Sequence, residues 1–373
     1  MALPPLEPVD VRHQRIVIVG AGQAGARCAE ILRAGGHDGP VDLGGDEAML
    51  PYERPPLSKS LLAGANTLEQ ALLLAPDWYD RHAVRLHLGR HAVYVDRLRT
   101  KLVLDDGRSL HYDTLVLATG AKARQLCVPG ADLSGVHYLR TATQSLELRQ
   151  RLRPGKRLVV IGGGFIGLEV AATASTMGVQ VCVVEAAAAP MARVVPPEVG
   201  RLFAELHRRH GVAVHTHAQV DAIRCEGTHL AVRLQDGRGL DADSVVVGIG
   251  VVANDALAVA SGLPVDDGIL TDASGRTEDP RIYAIGDCAR FLHPLLGRAV
   301  RLEAWQHANQ HAEAAACSIL GADEAGAHVP WAWSDQYDAN LQVTGAPDQW
   351  DALVWRGVPS AMAATLFQGF GGH

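Results

Sequence analysis

The chain contains the same local pattern twice: a short apolar strand, a turn with three glycines and an apolar helix. The first copy is RIVIVGAGQAGARCA at residues 15–29, and the second is RLVVIGGGFIGLEVA at residues 157–171. In each copy the glycines follow the strand with the spacing G-x-G-x-x-G. This order is typical of a βαβ unit that binds a dinucleotide. The repeat therefore predicts two α/β domains, each built on a parallel sheet.

The glycines of the first copy have the positions that a dinucleotide requires. Gly20 permits the tight turn, Gly22 lets a pyrophosphate approach the backbone, and Gly25 lets the helix pack closely on the strand. The N-terminus of that helix offers free N–H groups to phosphate. The next strand, PVDLGGDE, ends in Asp46 and Glu47, and a carboxylate there binds ribose hydroxyls. The alternative is a glycine-rich turn without a ligand.

The second copy repeats every part of the first, with its glycines at Gly162, Gly164 and Gly167. The next strand, VQVCVVE, ends at Glu185 and is followed by AAAAP, which contains no Arg or Lys. A carboxylate there accepts a hydrogen bond from a ribose 2′-hydroxyl and repels a 2′-phosphate. The second copy therefore predicts a site for NAD(H) rather than NADP(H). The alternative is an ordinary solvent-exposed acid at a strand end.

Two further strand ends occur once each and distinguish the two halves of the chain. TLVLATGAKAR, residues 114–124, is a buried strand that enters a turn at Thr119 and Gly120. RIYAIGDCAR is a short apolar strand that ends in a glycine and Asp287. An acid at this place can hydrogen-bond a polyol chain, or it can cap the segment that follows.

Composition excludes several classes of protein. The formal net charge of −7 argues against nucleic acid as the main partner. No apolar run approaches the roughly 20 residues of a membrane helix. The N-terminal stretch MALPPLEPVDVRHQ has no apolar signal core, so we expect a cytoplasmic protein that binds no membrane. The six cysteines form no C-x-x-C pair, which argues against a disulfide framework and against a zinc or other metal site.

Taken together, eight stretches of the chain resemble the FAD- and NADH-dependent ferredoxin reductases of bacterial oxygenase systems. The resemblance is strongest to the reductase components of biphenyl- and toluene-type dioxygenases, with putidaredoxin reductase and apoptosis-inducing factor more distant. The stretches, in the order of the family, are VGAGQAG, LPYERPPLSKSLL, LVLATGA, VVIGGGFIGLEVAA, VVVGIGVVANDALA, YAIGDCAR, LEAWQHANQHA and PWAWSDQYDANLQVTG.

This resemblance implies an α/β fold with two Rossmann-like domains of the glutathione reductase type, the NAD domain being inserted in the FAD domain. It places the FAD-binding domain at residues 9–118 and 251–325 and the NAD(H)-binding domain at residues 119–250. A short α+β C-terminal domain would follow at residues 326–373, and we expect it to be incomplete. Gly44 stands where the family has a bulky apolar residue, so we expect the second strand to be weakened.

The resemblance also implies the residues that bind the cofactors. Lys59 in PPLSK would lie near the flavin N5 edge, and Glu169 in GFIGLE would be the acid that pairs with it. A cation at that edge would stabilise the reduced, anionic flavin. The FAD-binding residues would be Gly20, Gly22, Gly25, Asp46, Arg54, Lys59, Thr119, Gly120, Arg124, Asp287 and Trp305. The NAD-binding residues would be Gly162, Gly164, Phe165, Ile166, Gly167, Glu185 and Gly250.

Further positions follow from the same resemblance. Arg140 would contact FAD, and Trp333, Asp335 and Gln336 would lie in the segment that covers the other flavin edge. For the two tryptophans, Trp305 and Trp333, ordinary core packing is the alternative.

The implied chemistry is the transfer of a hydride from nicotinamide C4 to flavin N5, which needs orientation rather than a catalytic acid or base. The family's disulfide reductases and peroxidases use cysteines, but DEAMLPYERPPLSK contains none. Electrons would therefore leave the flavin singly for a [2Fe–2S] ferredoxin that serves a ring-hydroxylating dioxygenase or a cytochrome P450. Arg290, Arg298 and Arg301, or the run LRQRLRPGKR, could dock an acidic ferredoxin, or could be ordinary surface charge.

Two other functions remain open at this point. The chain could be an NADH-reducible flavoprotein that acts as a redox-responsive binding partner, as apoptosis-inducing factor partly does. It could also be a reductase linked to a rubredoxin or a nitrite reductase.

Overall fold

The structure of the chain is a computed structural model that describes residues 11–322, 328–345, 353–356 and 365–368, the last of these by its backbone alone. The chain forms two compact units. The first unit consists of Met1–Glu53, Leu72–Ala121 and Ala253–Val329. The second unit consists of Arg54–Ala71, Lys122–Val252 and Pro330–His373.

The helices of the described residues are α1 (Gln23–Ala34), α2 (Ser60–Ala63), α3 (Trp78–Arg81), α4 (Ala142–Arg151), α5 (Phe165–Thr176), α6 (Pro197–Arg209), α7 (Ala256–Ala260) and α8 (Trp305–Leu320). Short 3₁₀ turns lie at Val11–His13, Pro55–Ser58, Glu69–Ala71 and Gly286–Cys288.

The strands before residue 200 are β1 (Ile16–Val19), β2 (Val41–Gly45), β3 (Val84–Leu88), β4 (Ala92–Asp96), β5 (Lys101–Leu104), β6 (Ser109–His111), β7 (Thr114–Leu117), β8 (Ala121–Ala123), β9 (Val136–Tyr138), β10 (Arg157–Ile161) and β11 (Gln180–Val184). Those after it are β12 (Ala213–His215), β13 (Val220–Glu226), β14 (His229–Leu234), β15 (Gly239–Ala242), β16 (Ser244–Val247), β17 (Val251–Ala253), β18 (Ile269–Thr271), β19 (Ile282–Ala284), β20 (Ala289–His293), β21 (Arg298–Val300), β22 (Trp331–Gln336), β23 (Ala339–Thr344), β24 (Leu353–Arg356) and β25 (Thr365–Gln368).

The first unit is built on a five-stranded parallel sheet with the order β19-β7-β1-β2-β3. Strand β1 lies in the middle and is buried on both faces, which explains its unbroken sequence IVIV. One face of the sheet packs on α1 and α8, and the other packs on the antiparallel strands β4–β6 and on α7. Helix α1 joins two parallel neighbours, as the sequence predicts for a βαβ unit.

The second unit repeats this plan with the order β12-β11-β10-β16-β9, again all parallel. Helices α4, α5 and α6 cover one face, and the antiparallel sheet β13–β15 covers the other. The hairpin of β22 and β23 also belongs to this unit, and the side chains of Tyr337, Leu341 and Val343 pack against the helix-covered core. The predicted α/β fold class with two parallel sheets is therefore confirmed.

Two details differ from what the sequence alone suggests. The segment Arg54–Ala71, which contains PPLSK, packs with the second unit, although it lies within the predicted range 9–118 of the FAD domain. Gly44 does not interrupt its strand, because it pairs with Val19 on one side and with His87 on the other. No helix in the described part of the chain is long and apolar enough to cross a membrane.

Candidate nucleotide-binding sites

The first glycine turn lies at the carboxyl end of β1, in the first unit. Gly20 has a φ of +118°, and a Cβ atom there would lie 2.0 Å from the carbonyl oxygen of Ala118. A Cβ atom on Gly25 would lie 2.0 Å from the carbonyl oxygen of Gly20, so α1 approaches the turn as closely as backbone allows. Gly22 is the residue directly before α1. This arrangement leaves backbone N–H groups open to a pyrophosphate and fits the ADP half of FAD.

The two units differ in the acid that follows the second strand. In the first unit Gly20 donates its backbone N–H to the carbonyl of Gly44, and in the second unit Gly162 donates its N–H to the carbonyl of Val184. The residues that follow these acceptors, Gly45 and Glu185, are therefore equivalent positions. Asp46, the predicted ribose ligand of the first unit, lies one residue beyond this position and is exposed.

Glu47 is the other acid at this strand end. It is half-buried and accepts a hydrogen bond from the hydroxyl of Tyr52. A Cβ atom at Gly45 would lie 2.8 Å from the Cβ of Ala21, which leaves little room for a side chain beside the turn. A ribose bound in the first unit would therefore contact Asp46 or Glu47, which follow β2, because the last residue of that strand is a glycine.

Thr119 and Gly120 form the turn after β7, also in the first unit. The hydroxyl of Thr119 donates to the carbonyl of Asn254 at 2.6 Å, and the side-chain amide of Asn254 donates back to the carbonyl of Thr119 at 3.1 Å. Asn254 therefore fixes the turn, a role that the sequence reasoning missed. The signal was its place in GVVANDALA, where an amide follows a strand end.

Asp287 lies in the 3₁₀ turn after β19, at the carboxyl edge of the first sheet. Its carbonyl accepts a hydrogen bond from Arg301 at 3.3 Å. Arg301 is nearly buried and forms ion pairs with Asp267 at 3.3 Å and with Glu303 at 2.8 Å. Trp305 begins α8 and is partly exposed. Asp267 and Glu303 therefore offset the positive charge of Arg301, one of the three arginines that were predicted as a docking site for a ferredoxin.

Three predicted FAD ligands belong to the second unit rather than the first: Arg54, Lys59 and Arg124. The guanidinium of Arg54 donates to the carbonyl of Arg140, and that of Arg124 donates to the carbonyl of Val251 at 3.5 Å. The other eight predicted FAD residues lie in the first unit.

The second glycine turn lies at the carboxyl end of β10 and has the geometry of the first. Gly162 has a φ of +104°, and a Cβ atom there would lie 2.4 Å from the carbonyl oxygen of Gly248. A Cβ atom on Gly167 would lie 2.1 Å from the carbonyl oxygen of Gly162. Gly164 directly precedes α5, and the predicted ligands Phe165 and Ile166 are the first residues of that helix.

Glu185 lies directly beside this turn. Its carboxylate accepts the backbone N–H of Gly163 at 2.6 Å and that of Ala187 at 2.7 Å. The side chain is half-buried and reaches the turn where a ribose next to a bound pyrophosphate would lie. The residues present therefore fit a nicotinamide dinucleotide.

Gly250, the last predicted NAD ligand, lies next to Arg193, a cation that the sequence analysis did not identify. It has a φ of +101°, and a Cβ atom there would lie 2.8 Å from a guanidinium nitrogen of Arg193. Arg193 belongs to the loop after β11, whose Met191 donates its backbone N–H to the carbonyl of Gly163. An exposed arginine next to a phosphate-binding turn can bind pyrophosphate. Its position along the chain indicates this role only weakly, because Arg193 lies eight residues beyond Glu185.

The pair Lys59 and Glu169 forms in the second unit as the resemblance implies. The Lys59 Nζ lies 3.1 Å from Glu169 Oε1 and 3.6 Å from the carboxylate of Asp335. It also lies 5.6 Å from the ring centroid of Trp333. Glu169 is almost wholly buried, and this burial raises the pKa of its carboxyl despite the opposing charge of Lys59.

The C-terminal hairpin supplies side chains to both sides of this pair. Along β22 the side chains alternate, so that Ser334 and Gln336 are fully buried while Asp335 is exposed. Trp333 stacks on Trp331 and donates its indole N–H to Asp335 at 3.1 Å. Gln336 therefore lies in the interior of the second unit rather than on the face that carries Trp333.

The cysteines offer no redox pair. All six are free thiols, and burial raises the pKa of Cys28 to about 12. Among the described residues no group of three or more His, Cys, Asp or Glu side chains is arranged to hold a metal ion.

Comparison with known proteins gives the family. The model of the pyridine nucleotide-disulphide oxidoreductase family matches residues 14–312, and a reductase C-terminal model matches residues 331–372. This is a family that uses FAD and NAD(P)H.

Several relatives are named reductases of oxygenase systems. The chain is 44% identical, over 95% of its length and 87% of the relative, to the ferredoxin–NAD(+) reductase component of an anthranilate 1,2-dioxygenase system from Burkholderia cepacia. It is 40% identical, over 92% of its length and 83% of the relative, to putidaredoxin reductase from Pseudomonas putida.

The solved structures agree with these relatives. The covalent complex of putidaredoxin reductase with putidaredoxin matches with a TM-score of 0.92 at 40% identity, covering 95% of this chain and 87% of that one. The ferredoxin reductase of the CYP199A2 system from Rhodopseudomonas palustris matches with the same TM-score of 0.92 at 41% identity, covering 95% and 88%. The chain thus belongs to the pyridine nucleotide-disulphide oxidoreductase family and, within it, to the ferredoxin reductases of oxygenase systems.

Proposed function

We propose that this ferredoxin reductase takes electrons from NADH, passes them through FAD and delivers them singly to a [2Fe–2S] ferredoxin. The observation that carries the proposal is the presence of two glycine turns of the same geometry, each too close to neighbouring backbone to accept a side chain. The first turn would hold FAD, and the second would hold NADH. FAD bound there would supply the conversion between two-electron and one-electron transfer.

The second unit would select NADH through Glu185. A carboxylate that already accepts two backbone N–H groups beside the turn can exchange them for ribose hydroxyls. A 2′-phosphate at the same place would bring two negative charges against an acid, so NADPH would bind more weakly. Arg193 would add a cation for the pyrophosphate.

Lys59 would act on the flavin by charge. Its ammonium is held by Glu169 and Asp335, and it is only about one-fifth exposed. A cation fixed at the edge of the flavin stabilises negative charge that develops on reduction. No side chain needs to serve as an acid or a base, because the role of the chain is to orient the two nucleotides.

The acceptor is proposed from the relatives. One solved relative is a covalent complex with its ferredoxin-type partner, putidaredoxin, and another relative serves a dioxygenase system. We therefore propose that the ferredoxin of this chain feeds a ring-hydroxylating dioxygenase or a cytochrome P450 in the cytoplasm, where NADH is supplied.

One alternative acceptor is supported by a specific observation. A rubredoxin–NAD(+) reductase from Pseudomonas putida is 40% identical over 91% of this chain and 88% of the relative. A rubredoxin is also a one-electron carrier, so the same flavin chemistry would serve it. The choice between the two carriers must therefore be measured.

The test is an anaerobic stopped-flow experiment on the purified yellow protein. We expect NADH to bleach the flavin quickly and an oxidised [2Fe–2S] ferredoxin to restore the colour quickly. Fast restoration by rubredoxin, with none by ferredoxin, would support the alternative acceptor. Bleaching without restoration by either carrier would indicate a redox-responsive binding partner, and no bleaching would contradict the proposal.

A further inference from the structure

A chain of hydrogen-bonded side chains, all buried except the half-buried Tyr337, ends on the carboxylate of Glu169. Ser334 Oγ lies 2.7 Å from Glu169 Oε1, and the amide nitrogen of Gln336 lies 3.0 Å from Ser334 Oγ. The amide oxygen of Gln336 lies 2.9 Å from His207 Nε2, and the hydroxyl of Tyr337 lies 3.2 Å from His207 Nδ1. All five residues belong to the second unit.

The direction of every hydrogen bond in this chain follows from its first member. A 2.7 Å contact between a hydroxyl and a carboxylate requires the hydroxyl proton between the two oxygens, so Ser334 donates to Glu169. Ser334 has only one proton and must accept from Gln336, whose nitrogen therefore faces it. The oxygen of Gln336 then faces His207 and needs a proton on Nε2.

His207 completes the same direction. Burial lowers the pKa of its imidazole, so the ring is neutral and carries one proton, on Nε2. The unprotonated Nδ1 accepts from the hydroxyl of Tyr337. Every donor in the series points toward Glu169, and aligned hydrogen bonds of this kind polarise and strengthen one another.

The other carboxylate oxygen of Glu169 is also occupied. Ser58 donates its hydroxyl to Glu169 Oε2 at 2.5 Å, while Lys59 approaches Oε1. The three segments that meet at this carboxylate are the turn Pro55–Ser58, the helix α5 and the strand β22. The charged or titratable groups that face it are Lys59 directly, Asp335 through Lys59, and His207 through the amide of Gln336.

We propose that Ser334, Gln336 and His207 are positioning residues that keep the Glu169 carboxylate ionised and aimed at Lys59. They act on the lysine through Glu169. The inference rests on the proposed function only for the role of the Lys59–Glu169 pair at the flavin. The hydrogen-bonded series of side chains does not depend on that function. Without the serine hydroxyl, the buried carboxylate would lose a charge-assisted hydrogen bond and would take up a proton more readily.

The experiment follows the thermal stability of the holoenzyme, with excess FAD, as a function of pH. Burial holds the pKa of Glu169 above its value in the unfolded chain, so the folded state binds more protons and stability falls as pH rises between the two values. Ser334→Ala raises the folded pKa further. We expect the fall in stability to extend upward by about one pH unit. Gln336→Met removes the amide that donates to the serine hydroxyl and accepts from His207, but it leaves the bond between the serine and the carboxylate, so it gives a smaller shift in the same direction.

Two controls separate this role from simple packing. Ser145→Ala removes an equally buried hydroxyl, one that donates to the carbonyl of Leu57 and does not touch Glu169, so it lowers stability equally at every pH. Glu169→Gln removes the part of the pH dependence that this carboxyl contributes. If Ser334→Ala and Gln336→Met instead behave like Ser145→Ala, or like the parent protein, the inference is overturned. Because unfolding is read without any acceptor, a failure of ferredoxin reduction leaves this result unaffected.

Discussion

At the scale of the residue, Glu185 carries the sharpest prediction for nucleotide selection. Glu185→Ala removes the carboxylate that lies beside Gly163 and would bind the ribose hydroxyls. Hydrogen bonds to a charged group contribute about 1.5–3 kcal/mol, so the KM for NADH should rise roughly tenfold to a hundredfold. The preference for NADH over NADPH should narrow, because the repulsion of a 2′-phosphate is also lost. Steady-state kinetics with both nucleotides measure the change.

The matched control is Glu226→Ala, which removes an exposed acid of the same unit that is paired with Arg233. It should leave both KM values unchanged. If Glu185→Ala also kept the parent preference for NADH, its assignment to the ribose would be wrong.

Single residues also show what the sequence could and could not reveal about the site. The turn glycines and Glu185 were predictable because strand, turn and acid follow one another along the chain. Arg193 and Asn254 have only weak signals in the sequence, because each reaches its site through a loop or a contact with a distant segment. The buried place of Gln336 follows from strand alternation, but its link to His207 depends on the packing of α6.

At the scale of the element, the close contact between helix and turn offers a paired test. Gly25→Ala places a methyl group against the carbonyl of Gly20, which forces α1 away from β1 and should release FAD. Gly167→Ala does the same to α5 in the second unit, so it should raise the KM for NADH at least about tenfold and leave the flavin bound. Flavin absorbance after desalting and NADH kinetics separate the two effects.

Gly44→Ala is the control for this pair. A Cβ atom at Gly44 has no neighbour closer than 3.7 Å, so the variant should keep both cofactors. Loss of FAD from Gly167→Ala, or its retention by Gly25→Ala, would contradict the assignment of FAD to the first turn and NADH to the second.

Helix α4 supports a simpler prediction of stability. The hydroxyl of Thr141 accepts the backbone N–H of Gln144, and the Gln144 side chain accepts the N–H of Thr141. Thr141→Ala should lower the free energy of unfolding by about 1 kcal/mol. Thr141→Ser keeps the cap and should restore most of that loss, as denaturant titration would measure. Equal losses in both variants would show that packing of the threonine methyl, not the cap, is responsible.

The elements also explain how far the fold was predictable. Unbroken apolar runs such as IVIV and SVVV identify strands buried on both faces, and the intervening helices require parallel neighbours. The place of the segment Arg54–Ala71 in the second unit could not be read in this way. It contains only short turns and one short helix, so tertiary packing rather than local pattern decides where it lies.

At the scale of the whole molecule, the chain has two α/β units with separate cores, so its unfolding need not be a single transition. A ligand that binds only one folded unit stabilises that unit by mass action. FAD, if it binds the first turn, should therefore raise the unfolding temperature of the first unit. NAD⁺ should act on the transition of the second.

Asp287→Ala tests this link between flavin binding and stability. The acid lies at the carboxyl edge of the first sheet, in the turn after β19, where it would bind the polyol chain of FAD. The variant should lose its yellow colour on gel filtration. The unfolding temperature of its first unit should rise when FAD is added. At a hundredfold excess over the dissociation constant the gain is about 2.7 kcal/mol. Asp266→Ala, which removes an exposed acid of the same unit, should keep its flavin on gel filtration. An Asp287→Ala protein that stays yellow through gel filtration would remove Asp287 from the flavin site.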